Sequence, residues 1–292
     1  MSHRLGSWTP PDDADTALAL RGVHAGYPGT PSVLDCVSLT VGVGQRVALL
    51  GANGSGKTTL LRVLAGGIEP DEGSVISGGR ALRHDRRGLT AHRQQVQLVT
   101  QDPDDQLFSA DVRSDIAYGP TNLGLAEDVI AARVDEALAV LSLTDLAERP
   151  VHRLSFGQRK RVAVAGALAM HPTVLLLDEP TAGLDPAGTE EMLAAIAALE
   201  AHGTTLVLST HDVDLAWRWA DEVALVVDRV VHQGEVTDAL TDADLVRAAR
   251  LRPPWSVEVL HHLGIDPATA GWPRTTEQVA AAVRDHATAH SR

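Results

Sequence analysis

The sequence predicts an α/β protein with a parallel-sheet core, and three observations carry that reading. Buried-type apolar runs, Val174-Leu175-Leu176-Leu177 and Thr205-Leu206-Val207-Leu208-Ser209, flank the helix-forming stretch from Ala187 to Ala201. Strands alternating with helices imply crossover units and a parallel sheet. Hydrophobic residues make up 44% of the chain but aromatics only 3%, so the core is built from Leu, Val, Ile and Ala, which suits helices packed on a buried sheet. Finally, the apolar run Val47-Ala48-Leu49-Leu50 leads into Gly51-Ala52-Asn53-Gly54-Ser55-Gly56-Lys57-Thr58, and a helix-forming run follows from Thr59 to Ala65. That strand, loop, helix order is the setting of a phosphate-binding loop.

Taken in order, residues 1–16 lack periodicity and read as a disordered tail. Alternation around Leu18-Ala19-Leu20, Val33-Leu34 and Val37-Ser38-Leu39 predicts antiparallel strands, with turns at Gly26, Pro28-Gly29 and Gly42-Val43-Gly44. Gly66-Gly67 stops the helix after the loop. Helical spacing at Val129-Ile130, Val134, Ala137-Leu138 and Val140-Leu141 predicts a helical subdomain, bounded at about 102–157. A helix from Gly157 to Met170 then opens the second α/β block. The principal domain is expected over 17–233. Residues 234–292, with Pro253-Pro254 and two further helical runs, form a short C-terminal extension for which dimerisation is the expected role.

The chemistry begins at the loop. Glycines at 51, 54 and 56 remove side chains that would block close backbone approach, so successive N–H groups and the helix N-terminus can surround a polyphosphate. Asn53, Ser55 and Thr59 belong to the same binding set. Lys57 adds a point charge at the β and γ phosphates, and Thr58 offers a hydroxyl to Mg²⁺. At the end of the second apolar run, Asp178 and Glu179 stand side by side before Pro180. Open α/β sheets bind ligands at that strand end. Two adjacent acids there need different tasks: Asp178 serves Mg²⁺, and Glu179 polarises an attacking water. His211 follows the next strand and is assigned to the γ-phosphate.

These residues resemble the ATP-binding subunits of ABC transporters, over about Ala17 to Gln233. The motifs occur in that family's order. Tyr27 resembles the adenine-stacking aromatic, Gln101 the glutamine that reaches the metal and the attacking water, and Leu154-Ser155-Phe156-Gly157-Gln158 the signature. Gly183-Leu184-Asp185 resembles the loop that follows the paired acids. The resemblance implies an ABC ATPase fold of parallel core, antiparallel β subdomain and helical subdomain, with ATP and Mg²⁺ as ligands. It also implies that Ser155, Gly157 and Gln158 serve nucleotide held by a second ATPase subunit, a homodimer mate or a paralogue. Phe156 stands where most relatives carry Gly.

The segment from Gln101-Asp102-Pro103-Asp104-Asp105-Gln106-Leu107-Phe108 to Gly119-Pro120-Thr121-Asn122-Leu123-Gly124-Leu125 is similar to the cobalt and energy-coupling-factor importer ATPases, as are Arg159 to Met170 and Leu251-Arg252-Pro253-Pro254. That branch implies a membrane scaffold subunit and a substrate-binding membrane subunit as partners. It implies work at the cytoplasmic face of the membrane, with cobalt, nickel or a vitamin as the cargo. Asp102, Asp104 and Asp105 are then expected to line a groove for arginine-bearing helices of the scaffold.

Composition narrows the field. A net charge of −13 argues against nucleic-acid binding. The single cysteine, Cys36, leaves no disulfide framework, and no apolar stretch is long enough to span a bilayer. Adjacent His261 and His262 point to different helix faces and read as no metal site. The competing function is a soluble ABC ATPase in a non-transport assembly.

Overall fold

The computed structural model describes residues 15–29 and 32–290. The tail expected over 1–16 lies outside the described residues except for Asp15 and Thr16, and Thr16 already opens the first strand. The early elements are β1 (Thr16–Ala25), β2 (Leu34–Gly42), β3 (Arg46–Leu50), α1 (Lys57–Leu64), β4 (Glu72–Ser77), β5 (Arg80–Ala81), α2 (Arg86–Gln95) and β6 (Val96–Val99). Then come α3 (Val112–Asn122), α4 (Glu127–Val140), α5 (Phe156–Leu168), β7 (Val174–Asp178), α6 (Pro186–Ala201) and β8 (Thr205–Thr210). The last are α7 (Val213–Trp219), β9 (Glu222–Val227), β10 (Val230–Glu235), α8 (Val236–Thr241), α9 (Ala243–Ala248), α10 (Trp255–His262) and α11 (Thr276–His290).

The chain divides into two compact units. One comprises the described residues from 15 to 45 together with Thr58–Ser209. Its antiparallel sheet runs β2-β1-β4-β5, with Leu20 opposite Leu39 and Ala19 opposite Ile76. In the same unit β7 pairs in parallel with β6 and β8, so Leu177 lies between Val99 and Leu208. All five residues of β7 are buried, which is why its sequence is a continuous apolar run rather than an alternating one. α3 packs on α4 and α5, forming the helical part that the spacing of Val134, Ala137 and Leu138 predicts. Asp111 caps α3 by accepting the Ser114 N–H at 2.8 Å.

The other unit comprises Arg46–Lys57 and the chain from Thr210 onward. Here β3 runs parallel to β9, and β9 turns back on β10. Asp228 and Arg229 at that hairpin both take positive φ, 47° and 71°, the two-residue turn whose twist matches the strands it joins. Trp217 of α7 is fully buried among Leu50, Leu225, Val236, Leu240 and Leu245. The residues after 234 share that core: Trp217 Nε1 donates to the Pro273 carbonyl at 3.0 Å, and Ser256 Oγ donates to the same oxygen at 2.6 Å. The Trp272 ring meets Trp217 edge-on at 6.2 Å, with the Arg274 guanidinium 5.6 Å from the Trp217 ring centre.

Candidate active site

Backbone shape makes the phosphate loop. Gly51 has φ 152°, and a Cβ there would lie 2.8 Å from both Ser55 Oγ and the Val226 carbonyl. Gly54 and Gly56 sit at φ 77° and 111°, conformations closed to most side chains. Lys57, only 7% exposed, folds back so that Nζ donates to the carbonyls of Gly51 at 2.9 Å and Ala52 at 3.3 Å. The loop therefore encircles its own ammonium. Ser55 Oγ is buried with no hydrogen-bond partner, a group that costs free energy until something fills the loop. Glycines that let a ligand approach the backbone, a buried cation and an unmet hydroxyl fit a polyphosphate. His211 lines one cleft with Gly51, Ala52 and Asn53, and Asp212 beside it caps α7 through the Leu215 N–H at 2.9 Å.

In the other unit, both oxygens of Asp178 are held by hydroxyls. Thr58 Oγ1 donates to Oδ2 at 2.7 Å, and Ser209 Oγ donates to Oδ1 at 2.5 Å. Thr58, Gln101 and Asp178 line a single cleft with Asp102, Asp105 and Phe156. A hydroxyl, an amide and a carboxylate are the hard oxygen donors that Mg²⁺ takes, and the residues fit it. Bound there, Mg²⁺ would offset charge on phosphate oxygens during transfer.

Glu179 is built differently from its neighbour. Its φ is 48°, a left-handed conformation that costs a non-glycine residue about 1–3 kcal/mol, so the strand ends abruptly between the two acids. The Glu179 N–H donates to Ser209 Oγ at 3.0 Å and to the Ser209 carbonyl at 3.2 Å, and the Glu179 carbonyl accepts from Lys160 Nζ at 2.8 Å and from the Ala182 N–H of the same turn at 3.1 Å. Sequence reasoning missed Ser209 and Lys160. Ser209 gave one signal, as a small hydroxyl residue ending an otherwise apolar strand. Lys160 gave none, because a cation two residues past a signature motif reads as a solvated helix position.

Ser155 caps α5 in a reciprocal capping box, with the Gln158 N–H donated to Ser155 Oγ at 3.2 Å and the Ser155 N–H donated to Gln158 Oε1 at 2.9 Å. Gln158 is thus engaged in fixing the helix entry. A Cβ on Gly157 would just touch Leu184, at 3.4 Å. Phe156 packs beside Gly183, where an added Cβ would lie 3.1 Å from the ring. Two cations stand by its ring, Lys160 Nζ at 5.4 Å and the Arg159 guanidinium at 5.8 Å. Tyr27 keeps 38% of its surface exposed, and its hydroxyl meets Thr59 Oγ1 at 3.4 Å and Arg62 Nη1 at 3.2 Å. The acidic run carries its own counter-charge, since Arg159 pairs with Asp104 at 2.8 Å. That ion pair offsets part of the repulsion among the carboxylates of Asp102, Asp104 and Asp105.

A phosphate loop, a buried acid pair ending a parallel strand and a capped signature helix define an ATPase of the P-loop class. Comparison with known proteins carries the assignment further. The family model described as ABC transporter matches residues 34–182. The cobalt import ATP-binding protein CbiO of Rhodobacter capsulatus is 51% identical over 243 residues, covering 83% of this chain and 87% of its own. The energy-coupling factor transporter ATP-binding protein EcfA of Methanosphaera stadtmanae is 41% identical over 249 residues, covering 85% of this chain and 90% of its own. The solved structure of cbiO1 from Clostridium perfringens, described as part of an ABC transporter complex cbiONQ, superposes with a TM-score of 0.74 at 36% identity, over 86% of this chain and 100% of that one. The chain belongs to the ABC transporter ATPase family, in its energy-coupling-factor branch.

Proposed function

We propose that this chain hydrolyses Mg²⁺-bound ATP to drive import of a transition-metal ion, cobalt foremost, or of a vitamin, through partner membrane subunits. The observation that carries the proposal is the acid pair: Asp178 is oriented by one hydroxyl on each oxygen, which leaves lone pairs for a metal, while Glu179 is turned out of the strand by its own set of bonds. One acid is placed as a metal ligand. The other, on the left-handed turn that ends the strand, is assigned to polarise water. Gln101, in the cleft with Asp178, and His211, in the cleft with Gly51, are the further residues proposed for catalysis. Ser155 and Gly157 present a helix N-terminus to nucleotide on a second ATPase subunit, so the working form is a dimer.

Cobalt rests on the 51%-identical relative named for cobalt import. Membrane docking is supported by the surface beyond Gln101. Phe108 and Tyr118 stand 62% and 50% exposed, edge-to-face at 4.4 Å, and the loop bearing Phe108 is pinned by N–H bonds from Phe108 and Ser109 to Asp115 at 3.0 and 2.7 Å. Among the described residues no helix is long and apolar enough to cross a membrane, so the membrane path is assigned to partners.

The test is Glu179→Gln. A carboxylate that positions water acts in the transition state more than in ground-state binding, so the variant should bind ATP normally, stop turnover and accumulate as a nucleotide-trapped dimer. Equal loss of binding and turnover would remove Glu179 from that role. Uptake of cobalt, nickel and vitamins by the reconstituted complex identifies the cargo.

A further inference from the structure

Of the 25 Lys and Arg residues, only two are lysine: Lys57 in the phosphate loop and Lys160 in α5. Every other basic position is arginine. Lysine offers a compact charge with three rotatable donors, whereas arginine brings a planar fork. Lys160 is 3% exposed, and its Nζ donates to the Glu179 carbonyl at 2.8 Å and the Pro180 carbonyl at 3.2 Å. Two adjacent carbonyls converging on one point suit an ammonium. Burying that ammonium is unfavourable, and here its direct partners are backbone oxygens and the face of Phe156 rather than a carboxylate.

The pair of carbonyls belongs to the turn that carries the strained backbone of Glu179, whose N–H is tied on the other side to Ser209. A left-handed non-glycine residue persists only where its surroundings over-determine it. Ser209 fixes the amide end of Glu179, and at the carbonyl end the Ala182 N–H closes the turn locally while Lys160 ties it to α5. Without Lys160 the Glu179 carbonyl keeps the Ala182 N–H of its own turn at 3.1 Å but loses its tie to α5, and a carboxylate displaced by a fraction of an ångström loses alignment with a water it must polarise.

We propose that Lys160 is a positioning residue for hydrolysis, clamping the Glu179 turn from within the helix that Ser155 caps. The inference rests on the reading of Glu179 as the water-polarising carboxylate. It extends that reading by joining two parts of the machinery: α5 begins with the signature and, one turn further, holds the backbone carbonyls of the Glu179 turn in the same subunit. Engagement of the signature by a partner's nucleotide then bears directly on the turn that carries Glu179.

The experiment compares steady-state ATP hydrolysis and ATP affinity of the full-length protein with Lys160→Met and Lys160→Gln, using Glu179→Gln as control. Methionine keeps the stem and its packing and removes the donors. Glutamine restores an N–H donor without charge. The expected result for Lys160→Met is a fall in kcat of about tenfold or more with KM for ATP and the binding constant within about twofold, since a mispositioned catalytic group acts mainly in the transition state. Lys160→Gln should recover a large part of that loss. Wild-type kcat in Lys160→Met would overturn the clamp. So would a folded Lys160→Gln that binds ATP yet is as slow as Lys160→Met, or a joint rise of KM and fall of kcat in both variants. If Glu179→Gln hydrolyses ATP at the wild-type rate, the reading of Glu179 fails instead; an inactive Glu179→Gln beside a normal Lys160→Met rejects the clamp alone.

Discussion

Thr58 and Asp178, 120 residues apart in the chain, share a 2.7 Å hydrogen bond that joins the end of the phosphate loop to the end of a buried strand. Ser209 holds the other carboxylate oxygen, so the acid is orientationally fixed before any metal arrives. Asp178→Asn keeps the shape and removes the charge. The half-saturating Mg²⁺ concentration for hydrolysis should rise by about tenfold or more, as for other lost metal contacts, while nucleotide binding in EDTA stays within about twofold. An unchanged Mg²⁺ requirement would exclude Asp178 as a ligand. Ser209→Ala, which only frees the carboxylate to rotate, should give a smaller shift in the same direction.

Lys57 contributes in the ground state. Its ammonium sits on the Gly51 and Ala52 carbonyls, ready to exchange those contacts for phosphate oxygens. Lys57→Ala should therefore weaken nucleotide affinity itself, by about 2 kcal/mol or roughly thirtyfold, the scale of a charged hydrogen bond. A fluorescent ATP analogue measures it directly. Unaltered affinity with lost turnover would reverse the roles assigned to Lys57 and Glu179.

Much of this was legible in the sequence because the signals are local. The apolar run at 174–177 is the strand β7, and the helix forecast from Gly157 to Met170 is α5, shifted by one residue at its start and two at its end. Gly51, Gly54 and Gly56 of the loop all take positive φ, conformations that suit residues without a Cβ. What escaped depends on chain segments distant in sequence. Lys160 reaches Glu179 across 19 residues and Ser209 reaches it across 30, contacts that no periodicity encodes. The partner of Asp104 was hidden for the same reason: Arg159 lies in another element. A test of scaffold docking is accordingly cleaner at Asp105 than at Asp104, where a substitution would also break that ion pair.

Ser155 has two duties that can be separated. As the cap of α5 it saves about 1 kcal/mol, so Ser155→Ala should lower the melting temperature by roughly 2–4 °C, whatever the nucleotide state. As a donor to a partner's nucleotide it acts only in the dimer. Ser155→Arg subunits mixed with wild type should depress activity beyond simple dilution, because each signature serves the other subunit's ATP. Activity that falls only in proportion to the wild-type fraction would place the signature outside the shared site.

Trp217 ties the C-terminal helices to the core of its unit. Trp217→Phe keeps an aromatic ring but removes the Nε1 bond to the Pro273 carbonyl, which then keeps only the Ser256 hydroxyl. A loss of about 1–2 kcal/mol is expected for the bond plus the smaller ring. Equilibrium urea unfolding would measure this difference. Truncation before Trp255 should be far more damaging, as it uncovers Val257-facing core as well. A truncated protein as stable as the full chain would show that the extension is an appendage.

Lys160 sets a pH dependence with a definite sign. Burial pushes its pKa down to about 8 from an ordinary 10.5, only partly countered by the charges of Glu179, Asp102 and Asp178. The unfolded chain keeps the proton up to about pH 10.4, so between that value and the folded pKa the unfolded state binds more protons. Stability should rise with pH through that window, by at most about 1.4 kcal/mol per pH unit, and the full cost of burying the charge applies below it. Lys160→Met lacks the titration. The difference in unfolding free energy between wild type and Lys160→Met should thus grow in favour of wild type from pH 8 to pH 10, other ionisations cancelling in the comparison. Direct observation is simple in a chain with two lysines: selective ¹³Cε labelling gives two lysine signals, and one should titrate near pH 8. A neutral amine still donates N–H to the Glu179 carbonyl, so hydrolysis should survive that titration. Parallel unfolding curves with no lysine signal titrating near pH 8 would show that the Lys160 ammonium is solvated and the clamp is open.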